Sequence, residues 1–180
     1  RGVDGDDAVR LDVAEVEKDG FPREQMNWDS VAAEGIHGQD VALLVPDPVI
    51  RVFVLHFDEF PRRAEEAVPM LRWKLKKSVP FEAEETLISY MRQAPRDEGV
   101  DVVTGLARLR IVKEYEALVE ATGSHPGVVT SSTLAALPLL DDHRPTLLAR
   151  VSGATLTTVI VREGILCGYR CTELPAEGPL

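Results

Sequence analysis

The chain has 180 residues, 44% of them apolar, with 30 acids against 20 bases and a formal net charge of −10. That is enough apolar side chain for one sizeable domain or two small lobes, and a 28% charged fraction reads as globular rather than disordered. A chain this acidic is repelled by phosphate backbones and anionic lipid unless a local basic face overrides the mean; no apolar run approaches about 18 residues, and the start shows no signal-peptide pattern.

The first residue is Arg1, not Met, so the natural N-terminus is expected further upstream. "VRLDVAEVE" alternates like a strand, and a short helix is expected near 28–34 in an acidic, turn-rich stretch. "VALLV" from Val41 and "VIRVFVLHF" from Val49 are apolar, β-branched runs that predict strands covered on both faces. A helix is predicted over 62–77, with Val68, Leu71 and Leu75 forming its apolar stripe and Pro69 kinking it or shortening its first turns. Glu65 and Glu66 near its start and Lys74, Lys76 and Lys77 near its end complement the helix dipole, and Pro80 stops it. These bases therefore predict a solvated helix end and not a nucleic-acid grip.

"TLISYMRQ" and "VDVVTGLARL" predict two further strands around the loop "APRDEG". The helix "IVKEYEALVEATG" follows, with Val112, Tyr115, Leu118, Val119 and Thr122 on one side and Gly123 as its left-handed cap. "GVVTS" reads as a short buried strand, after which Ser131 or Ser132 caps the helix "TLAALPLL". Beyond "DDHRP" come three meander strands, "TLLARV", "TLTTVIV" and "ILCGYRC", turned at Ser152-Gly153-Ala154 and at Glu163-Gly164. The strand–helix alternation followed by a fresh meander predicts an α/β lobe and the opening of a second one.

Chemistry is sparse. His37, His56, His125 and His143 are scattered with no metal-ligand spacing, and there is no Walker A loop or GxSxG elbow. No catalytic residue and no metal site is predicted. Cys167 and Cys171, four apart in a strand, would lie roughly 13 Å apart, too far for a disulfide. They read as small buried hydrophobes, and free thiols suggest a reducing cytoplasm. "RVSGATLTT" is the one hydroxyl-rich turn between strands that could offer backbone N–H groups to a phosphate.

The segments "LLVPDPVIRVFVLHFDEFP", "RWKLKKSVPFEAEETLISY", "KEYEALVEATGSHPGVVTSSTLAAL" and "LLARVSGATLTTVIVREGILCGYR" stand in an order that resembles the type IV pilus assembly family PilM. That family is akin to the cell-division protein FtsA and to the cytoplasmic domain of the type II secretion protein GspL. The resemblance spans roughly 41–173, and the charged helix ending in "KKSVPF" is its most specific part. It implies an actin-like, RNase H-like α/β fold. Residues 1–46 and 98–142 would form the first lobe, 47–97 an inserted strand–helix–strand subdomain, and 143–180 the start of an incomplete second lobe.

The resemblance further implies a cytoplasmic scaffold peripheral to the inner membrane, able to assemble into a ring. It would bind the cytoplasmic tail of a PilN-like bitopic partner, with neither nucleic acid nor direct membrane insertion involved. Relatives bind ATP between their lobes, but this sequence departs from them there. Arg150 stands where the second phosphate loop carries a Mg²⁺-organising Asp, and Ser152 stands where it carries its first Gly; "VDGDDAVR" only approximates the first loop. Ser152, Gly153 and Thr155 would mark a vestigial phosphate loop, with no cofactor expected. ATP with Mg²⁺ regulating assembly is the alternative. A generic α/β domain, such as a distant sugar-kinase-like enzyme, is a third reading, and would need a catalytic carboxylate after the meander. The partner tail is expected beside Arg51, Trp73, Lys77 and Phe81. Trp73 and Lys77 lie one turn apart off the apolar stripe, an arrangement suited to a binding anchor. Packing of Trp73 on a second apolar face is the competing expectation.

Overall fold

A computed structural model describes residues 40–79, 85–94, 99–140 and 144–175. The strand expected at "VRLDVAEVE", the helix near 28–34, "VDGDDAVR", Pro80 and Phe81 lie outside the described residues.

Strand β1 (Asp40–Val45) opens the described chain, and a 3₁₀ turn (Asp47–Val49) redirects it into β2 (Ile50–Phe57). Helix α1 (Ala64–Leu75), β3 (Thr86–Arg92), β4 (Val100–Arg108), α2 (Leu109–Ala121) and β5 (His125–Ser131) follow. The short α3 (Ser132–Ala136) precedes the meander β6 (Thr146–Ser152), β7 (Thr155–Arg162) and β8 (Ile165–Glu173). The runs read as strands at 49–57 and 86–93 form β2 and β3, with Val49 taken into the 3₁₀ turn and β3 ending at Arg92.

Among the described residues three sheets form. β1 pairs with β5 in parallel, from Asp40 opposite His125 to Val45 opposite Ser131. Helix α2 closes one face of this pair: Tyr115 and Val119 pack with Leu43 and Val45. The other face has no covering element among the described residues, and Leu44 is 46% and Val128 56% exposed. The expectation that "VALLV" is covered on both faces and "GVVTS" buried is therefore corrected. Only alternate residues of β1 reach the core, and of β5 only Ser131 is fully buried.

The second sheet has the order β2-β4-β3, antiparallel throughout. β4, which the sequence reading assigned with 98–142, is the central strand between β2 and β3. Its apolar run fits the place, because a central strand is covered by neighbours on both edges and here by layers on both faces. On one face α1 packs Ala67 and Leu71 against Phe60, Val100 and Val102. The buried stripe of α1 is Ala67, Leu71 and Leu75, at i, i+4 and i+8; Val68 is only half-buried. The helix runs unbroken through Pro69, which sits on its exposed side. Lys74 lies over the Phe57 ring at 4.1 Å from its centroid, so its alkyl stem and charge cover the sheet's end.

The third sheet has the order β6-β7-β8. Its β7–β8 turn is a two-residue type with positive φ at both Glu163 (53°) and Gly164 (72°), the handedness that matches strand twist. Val159, Val161 and Leu166 from this sheet share a core with Val52 and Val103 from the second. A bulge sets Leu166 opposite Val161 but Gly168 opposite Ile160. Cys167 is the extra residue and is exposed, while Cys171 is half-buried and both thiols are free. The expectation that both are buried fails because the bulge interrupts the alternation that Cys167 and Cys171 would otherwise share.

Candidate functional site

The residues that the sequence singled out fall in two places: the helix α1 surface, and the junction where the third sheet meets the rest.

On α1, leucines 71 and 75 point to the sheet while Trp73 projects away from it and is 77% exposed. Trp73 is thus not core, and the packed alternative is excluded. Lys77, one turn on, is exposed in the turn that follows the helix. Arg51 is exposed on β2, opposite Leu106 of β4. Burial pushes the Cys171 thiol of β8 up, and the Arg51 charge acts weakly against that rise. The structure therefore groups Trp73 with Lys77 and shows no bond joining Arg51 to either among the described residues. Phe81 lies outside the described residues.

At the junction, the sequence marked Ser152, Gly153 and Thr155. Ser152 and Gly153 are exposed, Thr155 is half-buried, and Gly153 takes φ +54° with open space around it. The structure adds a residue that the sequence reading missed. Asp47, on the 3₁₀ turn after β1, is 2% exposed. Its Oδ1 accepts the Thr133 backbone N–H at 2.9 Å. Its Oδ2 accepts the Thr133 hydroxyl, the Thr157 hydroxyl at 2.8 Å and the Arg150 Nη1 at 3.3 Å. One carboxylate thereby joins the β1–β2 turn, the first turn of α3, and strands β6 and β7.

The local folding explains the convergence. Ser131 ends β5 and caps α3, its hydroxyl accepting the Leu134 N–H at 3.3 Å. Because β5 runs beside β1, the start of α3 is delivered next to the turn that carries Asp47. Arg150 and Thr157 are cross-strand partners in β6 and β7, so they share a face and arrive together. Tyr169 of β8 completes the ring with its hydroxyl 3.3 Å from Ser131 Oγ.

Burial works to raise the Asp47 carboxyl, but the bonds from Thr133, Thr157 and Ser131 outweigh it and hold it below the ordinary value. Burial pushes the Tyr169 phenol and the Cys171 thiol up, and the charge of Asp47 adds to both. A second tie lies farther along: the Gln93 side chain donates to the Leu166 carbonyl at 2.9 Å and accepts the Leu166 N–H at 2.7 Å. No group of three metal-ligating side chains occurs among the described residues, and no helix there is long and apolar enough to cross a membrane.

No family model and no curated protein sequence matches the chain. Solved structures do. A chain of the PilM–PilN type IV pilus biogenesis complex superposes with a TM-score of 0.66 at 19% identity, over 81% of this chain and 47% of that one. This chain has that fold. The cytoplasmic domain of EpsL, an inner-membrane component of the type II secretion system of Vibrio cholerae, gives a TM-score of 0.50 at 14% identity, over 81% of this chain and 56% of its own. The chain thus spans about half the length of the structures it matches. The likeness agrees with the PilM and GspL resemblance carried by the sequence, and the α/β architecture is consistent with the actin-like fold that the resemblance implied.

Proposed function

We propose that this chain belongs to a non-catalytic scaffold of a type IV pilus or type II secretion platform. In this reading it works at the cytoplasmic face of the inner membrane and takes a short extended tail from a PilN-like bitopic protein. The observation that carries the reading is Trp73, an indole left 77% exposed on a helix whose apolar face is already buried, with the Lys77 cation one turn away. A large rigid aromatic beside a charge is the composition from which peptide hot spots are made. The fold shared with the PilM–PilN complex supplies the class of partner.

The absence of catalysis is part of the same proposal. Phosphoryl transfer depends on positioning and on neutralising charge around Mg²⁺. At the position that the resemblance gives to the metal-organising carboxylate, this chain has Arg150, bonded to Asp47. A guanidinium has donors only and cannot ligate a cation.

The test is a fluorescence-anisotropy titration in which the label is carried by the peptide, so that every variant of the chain can be read. The peptide is a synthetic copy of the cytoplasmic tail of a bitopic membrane protein encoded beside this chain. Saturable binding is expected, with affinity falling roughly 30-fold, about 2 kcal/mol, in Trp73→Ala. Saturable binding untouched by Trp73→Ala and Lys77→Ala would remove the site from α1. Magnesium-dependent ATP turnover above background, lost on substituting Ser152 or Gly153, would overturn the non-catalytic assignment.

A further inference from the structure

Two strands, one turn and one short helix meet at the Asp47 carboxylate, and no ligand is needed to satisfy it. The donors come from far along the chain: Thr133, Arg150 and Thr157 lie 86, 103 and 110 residues away. Contacts of such separation constrain the relative placement of whole elements and not local conformation. They join the sheet β6-β7-β8 to the β1–β2 turn and to α3.

The chemistry of the pair is inverted relative to the resemblance. Where a carboxylate would face a bound cation, position 150 is itself the cation. The counter-carboxylate is supplied from the opposite side of the junction. Asp47 is 2% and Arg150 37% exposed on their side chains, so the acid is sealed and the guanidinium keeps one side toward solvent. A sealed carboxylate with an attached cation and three hydroxyl or N–H donors has no room for a metal ion and no electrostatic demand for one. The Gln93–Leu166 pair and the shared apolar core tie the same sheet at other points.

We propose that Asp47 and Arg150 form a built-in latch that fixes the sheet β6-β7-β8 against the rest of the chain without nucleotide or metal. Arg150 and Asp47 are positioning residues in this scheme. They keep the two parts of the chain in one arrangement. The proposal goes beyond the scaffold reading and does not depend on any partner peptide, so the failure of either leaves the other standing.

Amide hydrogen exchange followed by mass spectrometry on the 180-residue chain tests it. In Arg150→Met, peptides covering β6, β7 and β8 should exchange faster by roughly tenfold, while those covering α1 and β3 keep their protection. Asp47→Asn should show the same regional pattern more strongly, and Arg150→Met serves alone if Asp47→Asn does not fold. Magnesium ATP added to the wild-type chain should leave the exchange of β6–β8 unchanged. Exchange in Arg150→Met that is unaltered over β6–β8, or raised equally across the chain, would overturn the latch. Protection of β6–β8 that appears in the wild-type chain only with magnesium ATP would overturn it as well.

Discussion

Leu71 and Trp73 stand two residues apart on α1, and the structure gives them opposite fates. Leu71 is 0% exposed in the core with Ala67, Phe60, Val100 and Val102, while Trp73 is 77% exposed. Leu71→Ala removes buried methyl groups from a helix–sheet contact that can relax only partly, so it should cost about 2–5 kcal/mol. Trp73→Ala removes the larger side chain, yet most of that surface already faces water. Its effect on stability should lie within about 0.5 kcal/mol. Urea unfolding of the two variants, followed by far-ultraviolet circular dichroism, measures both. The wild-type midpoint should barely move in Trp73→Ala and fall steeply in Leu71→Ala, with similar slopes. If Trp73→Ala proved as costly as Leu71→Ala, the inward and outward faces of α1 would be wrongly assigned, and with them the peptide site.

The folded Asp47 carboxyl lies below its ordinary value, so the unfolded state binds more protons near pH 4. Its stabilisation should be fully present above about pH 4 and lost as pH falls further through the folded value. The stability of the wild-type chain minus that of Asp47→Asn should isolate this loss, shrinking as pH falls below about 4, and a difference that holds constant or grows on acidification would refute it. Gly99 takes φ +77°, and a Cβ there would meet the Phe57 carbonyl oxygen at 2.4 Å; Gly99→Ala should therefore lower thermal stability by more than about 1 kcal/mol. Thr104 is 0% exposed and its hydroxyl has no hydrogen-bond partner among the described residues; Thr104→Val should raise the melting temperature, by about 1 kcal/mol of stability. Glu163 holds φ 53° at the first turn position, where Asn fits better, so Glu163→Asn should stabilise by about 0.5 kcal/mol in the same melts.

Much of the fold was written locally. The apolar runs at Val49 to Phe57 and Thr86 to Arg92, the periodicity of α2 and the Glu163-Gly164 turn each specify an element within a few residues, and each element formed. Where local reading failed, a neighbour decided the outcome. The composition of β1 and β5 is apolar enough for a doubly covered sheet, but one face has no covering element among the described residues, so Leu44 and Val128 stay exposed. Ala67 displaced Val68 from the α1 stripe because helix rotation follows the surface it packs on, and Leu71 and Leu75 are satisfied equally by either choice. β4 became a central strand because both β2 and β3 are antiparallel to it, a pairing that no single segment encodes.

The Asp47 junction shows why a site can be invisible in sequence although every residue in it is ordinary. In "VPDPV" an Asp flanked by prolines reads as a turn former, and in the structure it is one: it sits in the 3₁₀ turn Asp47–Val49. Nothing near it signals burial. What buries it is the parallel pairing of β1 with β5, which brings α3 to the turn, and the meander, which brings Arg150 and Thr157. The anomaly that the sequence did carry was at the other end, a lone cation in the middle of an apolar strand. A charge in such a place must find a counter-charge or an edge. Arg150 finds both, since among the described residues β6 borders only β7 in its sheet and Asp47 lies across the junction. Arg51 poses the same question from β2 and finds the surface instead. An unmatched charge in an apolar strand therefore marks a junction or a rim, and only the tertiary pairing tells which of the two it is.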